Sequence, residues 1–294
     1  MPTGRTTTES LNDSLPTAIA AAVNIREFKG VMTQLVRREN LEPGTGLTWN
    51  EVGIDAINAQ SVGNDTDLED NPQQLSDTLR SITPTISGLS TFVLDQVAER
   101  ISKKSFARLA RVGQDAIQRK KDEDLITMGQ GATTDLGATA TVLTSGEIAA
   151  GSFRVTSNTT EPGTPPIYAV FQGFGIKHLW DELGAPVGTY EISNGLSRDV
   201  FEKGIRAKYE IGGSMVIEDG NIPVVSNDAE GIVFAREGII LVQGRAPRMK
   251  TERFEGRGGG GTMVYHYDDY GSGEGGSAGM WLYSVTHDAT VPTG

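Results

Sequence analysis

Apolar and polar positions follow different periods along the chain, and each period predicts an element. From Pro16 to Arg38 the apolar positions recur at helical spacing and Gly30 interrupts them, which predicts two short helices or one kinked helix. Residues 48–54 and 79–92 have the composition of strands. We therefore predict a long two-stranded hairpin. An isolated hairpin is marginal in water, so we expect this one to lie against another surface.

The segment between the two predicted strands is strongly acidic. Residues 60–77 contain no Lys or Arg, and their acids are Asp65, Asp67, Glu69, Asp70 and Asp77. The hairpin is therefore predicted to end in an acidic tip, with a concentration of negative charge that its own strands do not balance.

Residues 95–128 have the clearest helical pattern, with Ser102 as a candidate N-cap and Gly129 as a candidate end. An apolar stripe at a spacing of 3.6 residues contains Phe106, Leu109, Ala110, Gly113, Ala116 and Ile117. Its small members predict the close approach of another backbone. Against Asp115 alone, residues 100–121 carry eight basic groups: Arg100, Lys103, Lys104, Arg108, Arg111, Arg119, Lys120 and Lys121.

Three interpretations of this basic run remain open. Runs of charge are usually solvated surface. Alternatively, the run contacts the acidic tip of a neighbouring subunit, where opposite charges fix the register and speed the encounter. The contact residues would then be Asp65, Asp67, Glu69 and Asp70 on the tip and Arg108, Arg111, Lys120 and Lys121 on the helix. The third interpretation is contact with nucleic-acid phosphates, although aromatic residues are nearly absent from the run.

The rest of the chain alternates short helices and strands. Thr144 and Glu147 form a capping-box pattern that predicts the start of a helix. Further predictions are a strand over Ile167–Phe171, a helix over 176–183 closed by Gly184, a short helix near 196–203, strands over 207–218, 222–225, 231–243 and 246–254, a short strand over 262–267 within the Gly-rich segment 255–279, and a last strand over 280–286. This order predicts an α+β fold.

Composition narrows the function classes. The chain has 294 residues, a formal net charge of −12 and no cysteine, which excludes a disulfide scaffold, a thiolate zinc site and a cysteine nucleophile. No apolar run reaches the ~20 residues of a membrane helix. Only 37% of the residues are hydrophobic, and 37 are glycine. We therefore expect a thin core for the length, with extended segments that find partners on other subunits.

Patterns that resemble catalytic or ligand-binding motifs are weak. Gly258–Gly261 leads into a predicted strand and not a helix, so we interpret it as a loop and not as a phosphate cradle. His266, Asp268 and Asp269 do not share one face of a strand, and we interpret them as solvated loop residues. The run Asp122–Asp124 is interpreted as solvated or salt-bridged surface. We predict no catalytic, cofactor or metal site.

Eight stretches of the sequence carry a family resemblance through their order. They are 67–78 (DLEDNPQQLSDT), 92–100 (FVLDQVAER), 113–125 (GQDAIQRKKDEDL), 166–171 (PIYAVF), 179–183 (LWDEL), 231–242 (GIVFAREGIILV), 245–253 (RAPRMKTER) and 279–283 (GMWLY). In this order they resemble the major capsid protein of tailed double-stranded DNA phages, the Hong Kong 97 type.

The resemblance implies an α+β fold with the parts of a Hong Kong 97-like capsid subunit. These are an N-terminal arm (1–44), an extended β-hairpin loop (45–90), a peripheral domain with a long spine helix (91–143), an axial domain (144–230), and return strands of the peripheral domain with a Gly-rich loop (231–294). About 45 residues precede the predicted loop, so scaffolding is expected from a separate protein or not at all.

The resemblance also implies a structural and not an enzymatic role. Subunits would self-assemble into hexamers and pentamers of an icosahedral head that encloses double-stranded DNA without sequence-specific binding. The implied partners are the chain itself and separate scaffolding, portal and decoration proteins, with no membrane. The implied location is the virion shell, assembled in the host cytoplasm. Two alternatives stay open: an encapsulin-like protein compartment, and, from a different class, a soluble hydrolase with an unrecognised site.

Overall fold

The computed structural model describes residues 5–6, 30–44, 46–54, 57, 59, 61, 74–96, 103–184, 209–256, 259–276 and 279–292. Its helices are α1 (Met32–Leu35), α2 (Lys103–Gln130), α3 (Ser145–Thr156) and α4 (Gly173–Gly184), with a 3₁₀ turn at Arg236–Gly238. Its strands are β1 (Arg5–Thr6), β2 (Arg37–Asn40), β3 (Trp49–Ile54), β4 (Asp77–Ile82), β5 (Thr85–Leu94), β6 (Ile167–Phe171), β7 (Tyr209–Ile211), β8 (Ser214–Glu218), β9 (Val224–Val225), β10 (Asp228–Ala235), β11 (Ile239–Phe254), β12 (Gly261–Glu274) and β13 (Leu282–Asp288). The fold is α+β, as predicted.

The strands form two sheets and a separate ribbon. The first sheet has five strands in the order β1-β5-β12-β11-β2, and the second has the order β13-β10-β6-β8-β7 with β9 beside β10. The two-stranded ribbon pairs β3 with β4. Two of the predicted elements, the strand β6 and the helix α4 that ends at Gly184, are confirmed.

Two apolar cores hold these elements together. In the first, Leu125 and Ile126 of α2 pack with residues of both sheets, among them Ile232 and Leu241. In the second, α3 and α4 cover the six-stranded sheet. The predicted capping box starts α3: the Thr144 hydroxyl accepts a hydrogen bond from the Glu147 backbone, and the Glu147 carboxylate accepts one from the Thr144 backbone. The helix α2 thus connects the two sheets.

The predicted hairpin is shorter than its sequence pattern indicated. Its first strand is confirmed as β3, but the run 79–92 divides between β4, which pairs with β3, and β5, which pairs with β12. The break falls at Thr83 and Pro84. Proline has no backbone N–H to donate to a ladder, so the chain leaves one sheet and enters the other there.

Other boundaries also differ from the predictions. The helical pattern before Arg38 ends after α1, and Arg37 begins β2, which runs parallel to β11. The break expected near residue 244 is a bulge within a continuous β11, because β12 pairs with it on both sides. The short strand expected at 262–267 is the 14-residue β12, which includes part of the Gly-rich segment. The helix predicted near 196–203 lies outside the described residues.

Candidate assembly surface

The β3–β4 ribbon has one face turned to the protein and one turned away. On the inner face Arg80 lies 3.9 Å from Glu51 and 3.8 Å from Glu161. On the outer face Val52 and Leu79 are paired across the ribbon, with Ile54 beside them. These three side chains are 57%, 64% and 71% exposed, respectively. The ribbon therefore presents an apolar face that the described part of this chain does not cover.

The base of the ribbon is firmly attached. Ile82 is buried with Ile240 and Val242 of β11, and Trp49 packs against the same cluster. The Arg37 guanidinium stands 5.9 Å from the Trp49 ring and donates a 2.8 Å hydrogen bond to Glu51. Because the base is fixed and the outer face is open, the ribbon projects as a preformed arm.

The predicted contact residues are not brought together within one chain. Asp65, Asp67, Glu69 and Asp70 lie outside the described residues, as does the Arg108 side chain. Arg111 is exposed on α2. Lys120 forms an i,i+4 ion pair of 3.0 Å with Asp124. Contact of Arg111 and Lys120 with a neighbouring acidic tip stays a prediction, and Lys120 already has an anionic partner in its own helix.

Lys121 differs from the sequence-based expectation because it is an internal residue, only 4% exposed. Its Nζ lies 2.6 Å from Asp268 Oδ2, an ion-pair contact, and 4.8 Å from the centroid of the Tyr270 ring. It donates a 3.1 Å hydrogen bond to Gln243, whose amide in turn donates to Asp268. Buried charges require such partners. Lys121 therefore fixes α2 on the five-stranded sheet and has no free charge for a neighbour.

The residues on β12 that resemble a set of metal ligands also include buried side chains. His266 and Asp268 are 2% and 1% exposed, so the expected solvated loop is wrong. The His266 ring packs against Gly113 of α2, and its burial lowers its pKa. At this small residue of the helix stripe, a side chain packs against the helix, whereas we had predicted the close approach of a backbone. Among the described residues, no group of three or more side chains is arranged to hold a metal ion.

Asp122 was expected at the surface and is instead fully buried, together with Asp219. Burial, followed by the neighbouring Asp122 carboxylate, raises the pKa of Asp219 to about 7. Asp122 accepts hydrogen bonds from the Met32 backbone at 2.9 Å and from the Asn221 amide at 2.9 Å. Asp219 accepts one from the Val31 backbone at 3.4 Å. The pair thus joins α2, the loop after β8 and the segment before β2.

A cationic surface that we had not predicted lies on β11. Arg245, Arg248 and Lys250 are exposed there, and none has an ion pair with a described residue. Across the ladder, Arg248 faces Tyr267 and Lys250 faces Tyr265. The spacing of these cations gave no signal, because Arg245 and Arg248 reach one face only through the bulges in β11. No described helix is long and apolar enough to cross a membrane.

Comparison with known proteins identifies the fold. No family model and no curated protein matches the sequence. The capsid of cyanophage Pam1 is similar in structure, with 11% identity, a TM-score of 0.67 and coverage of 95% of this chain and 98% of that one. The head structure of Helicobacter pylori bacteriophage KHP40 has 11% identity, a TM-score of 0.66 and coverage of 95% and 96%.

An encapsulin is also similar in structure. The holo-SrpI encapsulin complex of Synechococcus elongatus PCC 7942 has 10% identity, a TM-score of 0.61 and coverage of 97% of both chains. The chain therefore has the Hong Kong 97-like fold of phage capsid structures, over nearly its whole length. The resemblance stated from the sequence is confirmed for the fold.

Proposed function

We propose that this chain is the major capsid protein of a tailed double-stranded DNA phage, which self-assembles into hexamers and pentamers of an icosahedral head. The observation that carries the proposal is the attached ribbon with its uncovered outer face of Val52, Ile54 and Leu79. Complete burial of a large aliphatic side chain contributes about 1.5–3 kcal/mol. A neighbouring subunit that covers these three side chains gains several kcal/mol at each contact.

Assembly by many such contacts does not require one strong interface. Each subunit both covers a neighbour's ribbon and has its own ribbon covered, which is a heterologous contact that closes rings. The implied domains, from the N-terminal arm at 1–44 to the return strands at 231–294, belong to this proposal. So do separate scaffolding, portal and decoration proteins, a shell location in the virion and assembly in the host cytoplasm. The enclosed DNA is held without sequence-specific contacts, as suits a chain of net charge −12.

The test is assembly of the purified full-length chain, followed by sedimentation and negative-stain electron microscopy. We expect closed particles from the natural sequence. The triple variant Val52→Asn, Ile54→Asn, Leu79→Asn should remain folded by circular dichroism but stay unassembled. Val225→Asn is the matched control, because Val225 is 66% exposed outside the ribbon. Lone subunits at every concentration, both without and with the separate scaffolding protein of the native host, or normal particles from the triple variant, would contradict the proposal.

An encapsulin-like compartment is the second candidate, favoured by the similarity to the SrpI encapsulin over 97% of both chains. The two functions differ in what the shell contains. Particles recovered from their native host should contain nuclease-protected DNA if the chain is a capsid protein, and a folded protein cargo if it is a compartment. The hydrolase alternative is not proposed, since no described feature favours it.

A further inference from the structure

His287 of β13 is a buried histidine whose neutral ring is held in one tautomer. The residue has no exposed surface. It lies on the same face of the strand as Val285, which packs in the core beneath α3 and α4. Its Nδ1 lies 3.2 Å from the Val285 carbonyl oxygen. A carbonyl oxygen can only accept, so Nδ1 carries a hydrogen and Nε2 of the neutral ring has a lone pair.

The Nε2 atom faces the backbone of α4. A Cβ placed on Gly175 would collide with it, so the helix covers this nitrogen with a residue that has no side chain. Nε2 has no hydrogen-bond partner among the described residues. The Phe171 ring stands edge-on to the imidazole, with centroids 5.4 Å apart and planes at 75°. A proton on Nε2 would therefore meet a helix backbone and an apolar ring.

The charged and titratable groups around His287 do not compensate a proton there. Burial is the main reason that the pKa of His287 is lowered, and the nearby ring of His178 on α4 adds to the effect. The carboxylates of Glu147 and Asp288 act in the opposite direction. Both are already engaged, because Glu147 accepts a hydrogen bond at the start of α3 and Asp288 accepts two from Thr290.

The helix α4 is held to the rest of the chain by few groups. Its buried apolar side chains are Ile176 and Leu179. Near its end, the Glu182 carboxylate accepts hydrogen bonds of 2.7 and 2.9 Å from Ser145 at the start of α3. An element with few buried contacts can open while the remainder of the protein stays folded. One unfavourable charge beneath α4 is therefore enough to shift its position.

We propose that His287 is an acid-sensitive switch for α4: protonation of its ring releases the helix from the six-stranded sheet, and loss of the proton seats the helix again. A charged ring needs water or an acceptor, and Nε2 reaches water when α4 separates from β13. His178 belongs to α4 and moves with it, so the separation also relieves repulsion between the two rings. The inference goes beyond the proposed function, because it concerns one subunit and does not require assembly.

The direction of the effect follows from the two positions of the helix. With α4 released, the ring has its ordinary pKa of about 6.5, whereas burial lowers the pKa when α4 is seated. The seated position is therefore fully favoured above about pH 7, and it loses its advantage as the pH falls below 6.5. Between about pH 7.5 and about pH 5, the released population should rise on the order of tenfold.

The test is amide hydrogen exchange of the unassembled full-length chain, followed by mass spectrometry and corrected for the intrinsic change of rate with pH. In the wild type, the protection of α4 should fall on the order of tenfold from about pH 7.5 to about pH 5. The protection of β11, which belongs to the other sheet, should not fall with it.

Two variants assign the response to one ring. In His287→Asn the amide can still donate to the Val285 carbonyl, but the side chain does not titrate, so the acid response of α4 should be lost. His266→Asn is the matched control, because His266 is also buried, at 2% exposed, but packs on α2. This control should keep the acid response of α4.

Nitrogen chemical shifts of the wild-type histidine rings provide a measurement that needs no variant to fold. The His287 ring should stay neutral, with its hydrogen on Nδ1, for as long as the amides of α4 stay protected. It should become charged only over the pH range in which that protection is lost. The two changes should therefore share one midpoint.

Several outcomes would overturn the inference. They are equal protection of α4 at both pH values in the wild type, an undiminished fall in His287→Asn, an equal fall in β11, and a His287 ring that becomes charged while α4 stays protected. Loss of the response in His266→Asn would also overturn it. None of these outcomes bears on the proposed function, which particle formation tests separately.

Discussion

Replacing Asp219 by Asn should remove a pH dependence that the buried carboxyl pair gives to stability. Asp219 and Asp122 are both fully buried, and no described Lys, Arg or His forms an ion pair with either. The groups that face Asp219 are the Asp122 carboxylate and the backbone N–H groups of Asn221 and Val31. The introduced amide still accepts from Asn221 and can donate to Asp122, but it does not titrate.

The sign and size of the effect follow from the pKa of Asp219, which burial and the Asp122 charge raise from 3.8 to about 7. Between these values the folded state holds a proton that the unfolded state lacks. Stability therefore decreases as the pH rises through this range, and it levels off above about 7. Each pKa unit corresponds to about 1.4 kcal/mol, so the wild type should lose about 2–3 kcal/mol between about pH 5 and pH 7.

The assay is thermal unfolding of the unassembled full-length chain at about pH 5 and about pH 8. The difference in melting temperature between Asp219→Asn and the wild type should be roughly 5 °C more in favour of the variant at the higher pH than at the lower pH. Other titrating groups cancel, because the two proteins are compared at the same pH. The protection of the Met32 amide, which donates to Asp122 at 2.9 Å, is its hydrogen-exchange rate corrected for the intrinsic increase with pH, and it should fall above about pH 7 in the wild type only.

Asp181→Asn is the matched control. Asp181 is exposed on α4 and forms a 2.7 Å ion pair with Lys177, so its loss should cost less than about 1 kcal/mol at either pH. Parallel pH profiles for the wild type and Asp219→Asn would refute the reasoning. That result would mean that burial beside Asp122 does not keep Asp219 protonated in the folded chain at about pH 5.

Two further predictions concern the attachment of α2. Lys121→Met should destabilise the chain by about 3–5 kcal/mol in urea unfolding, because the Asp268 charge stays buried without its 2.6 Å partner. Adding Asp268→Asn should restore part of the lost stability. An equal loss of stability in the double variant would argue against the ion pair. Gly113→Ala should also destabilise, even though Ala favours a helix by about 1 kcal/mol, since its Cβ would lie 2.5 Å from His266 Nε2. An increase in melting temperature for Gly113→Ala would show that the His266 ring moves aside easily.

Elements with strong local signals were predictable from the sequence. The capping box at Thr144 and the strand β6 depend on residues close together in the chain, and both are confirmed. The order of the eight resembling stretches also led to the correct fold. Pro84 is the residue that indicates a break within the run 79–92, but the residues on both sides favour strands, and the run was therefore predicted as one strand.

The sequence did not show which individual charged side chains are buried and which are exposed. Lys120 and Lys121 are neighbours in one basic run, yet one is exposed and the other is buried. Lys121 is buried because its ammonium group has partners on distant strands, and one of them, Gln243, lies 122 residues away in the sequence. The same applies to Asp122 and Asn221, which are 99 residues apart. A local pattern of charge does not show which member a distant strand or loop will cover.

The length of β11 has a mechanical consequence. Its 16 residues extend for about 50 Å, from the fully buried Ile239 to an exposed outer end. The ladder with β12 is irregular between Gln243 and Arg248, where bulges interrupt the register. We expect bending to concentrate there, so that the outer end can swing while Ile239 stays packed. If the chain assembles as proposed, one polypeptide would then suit sites of unequal curvature without rebuilding its interior.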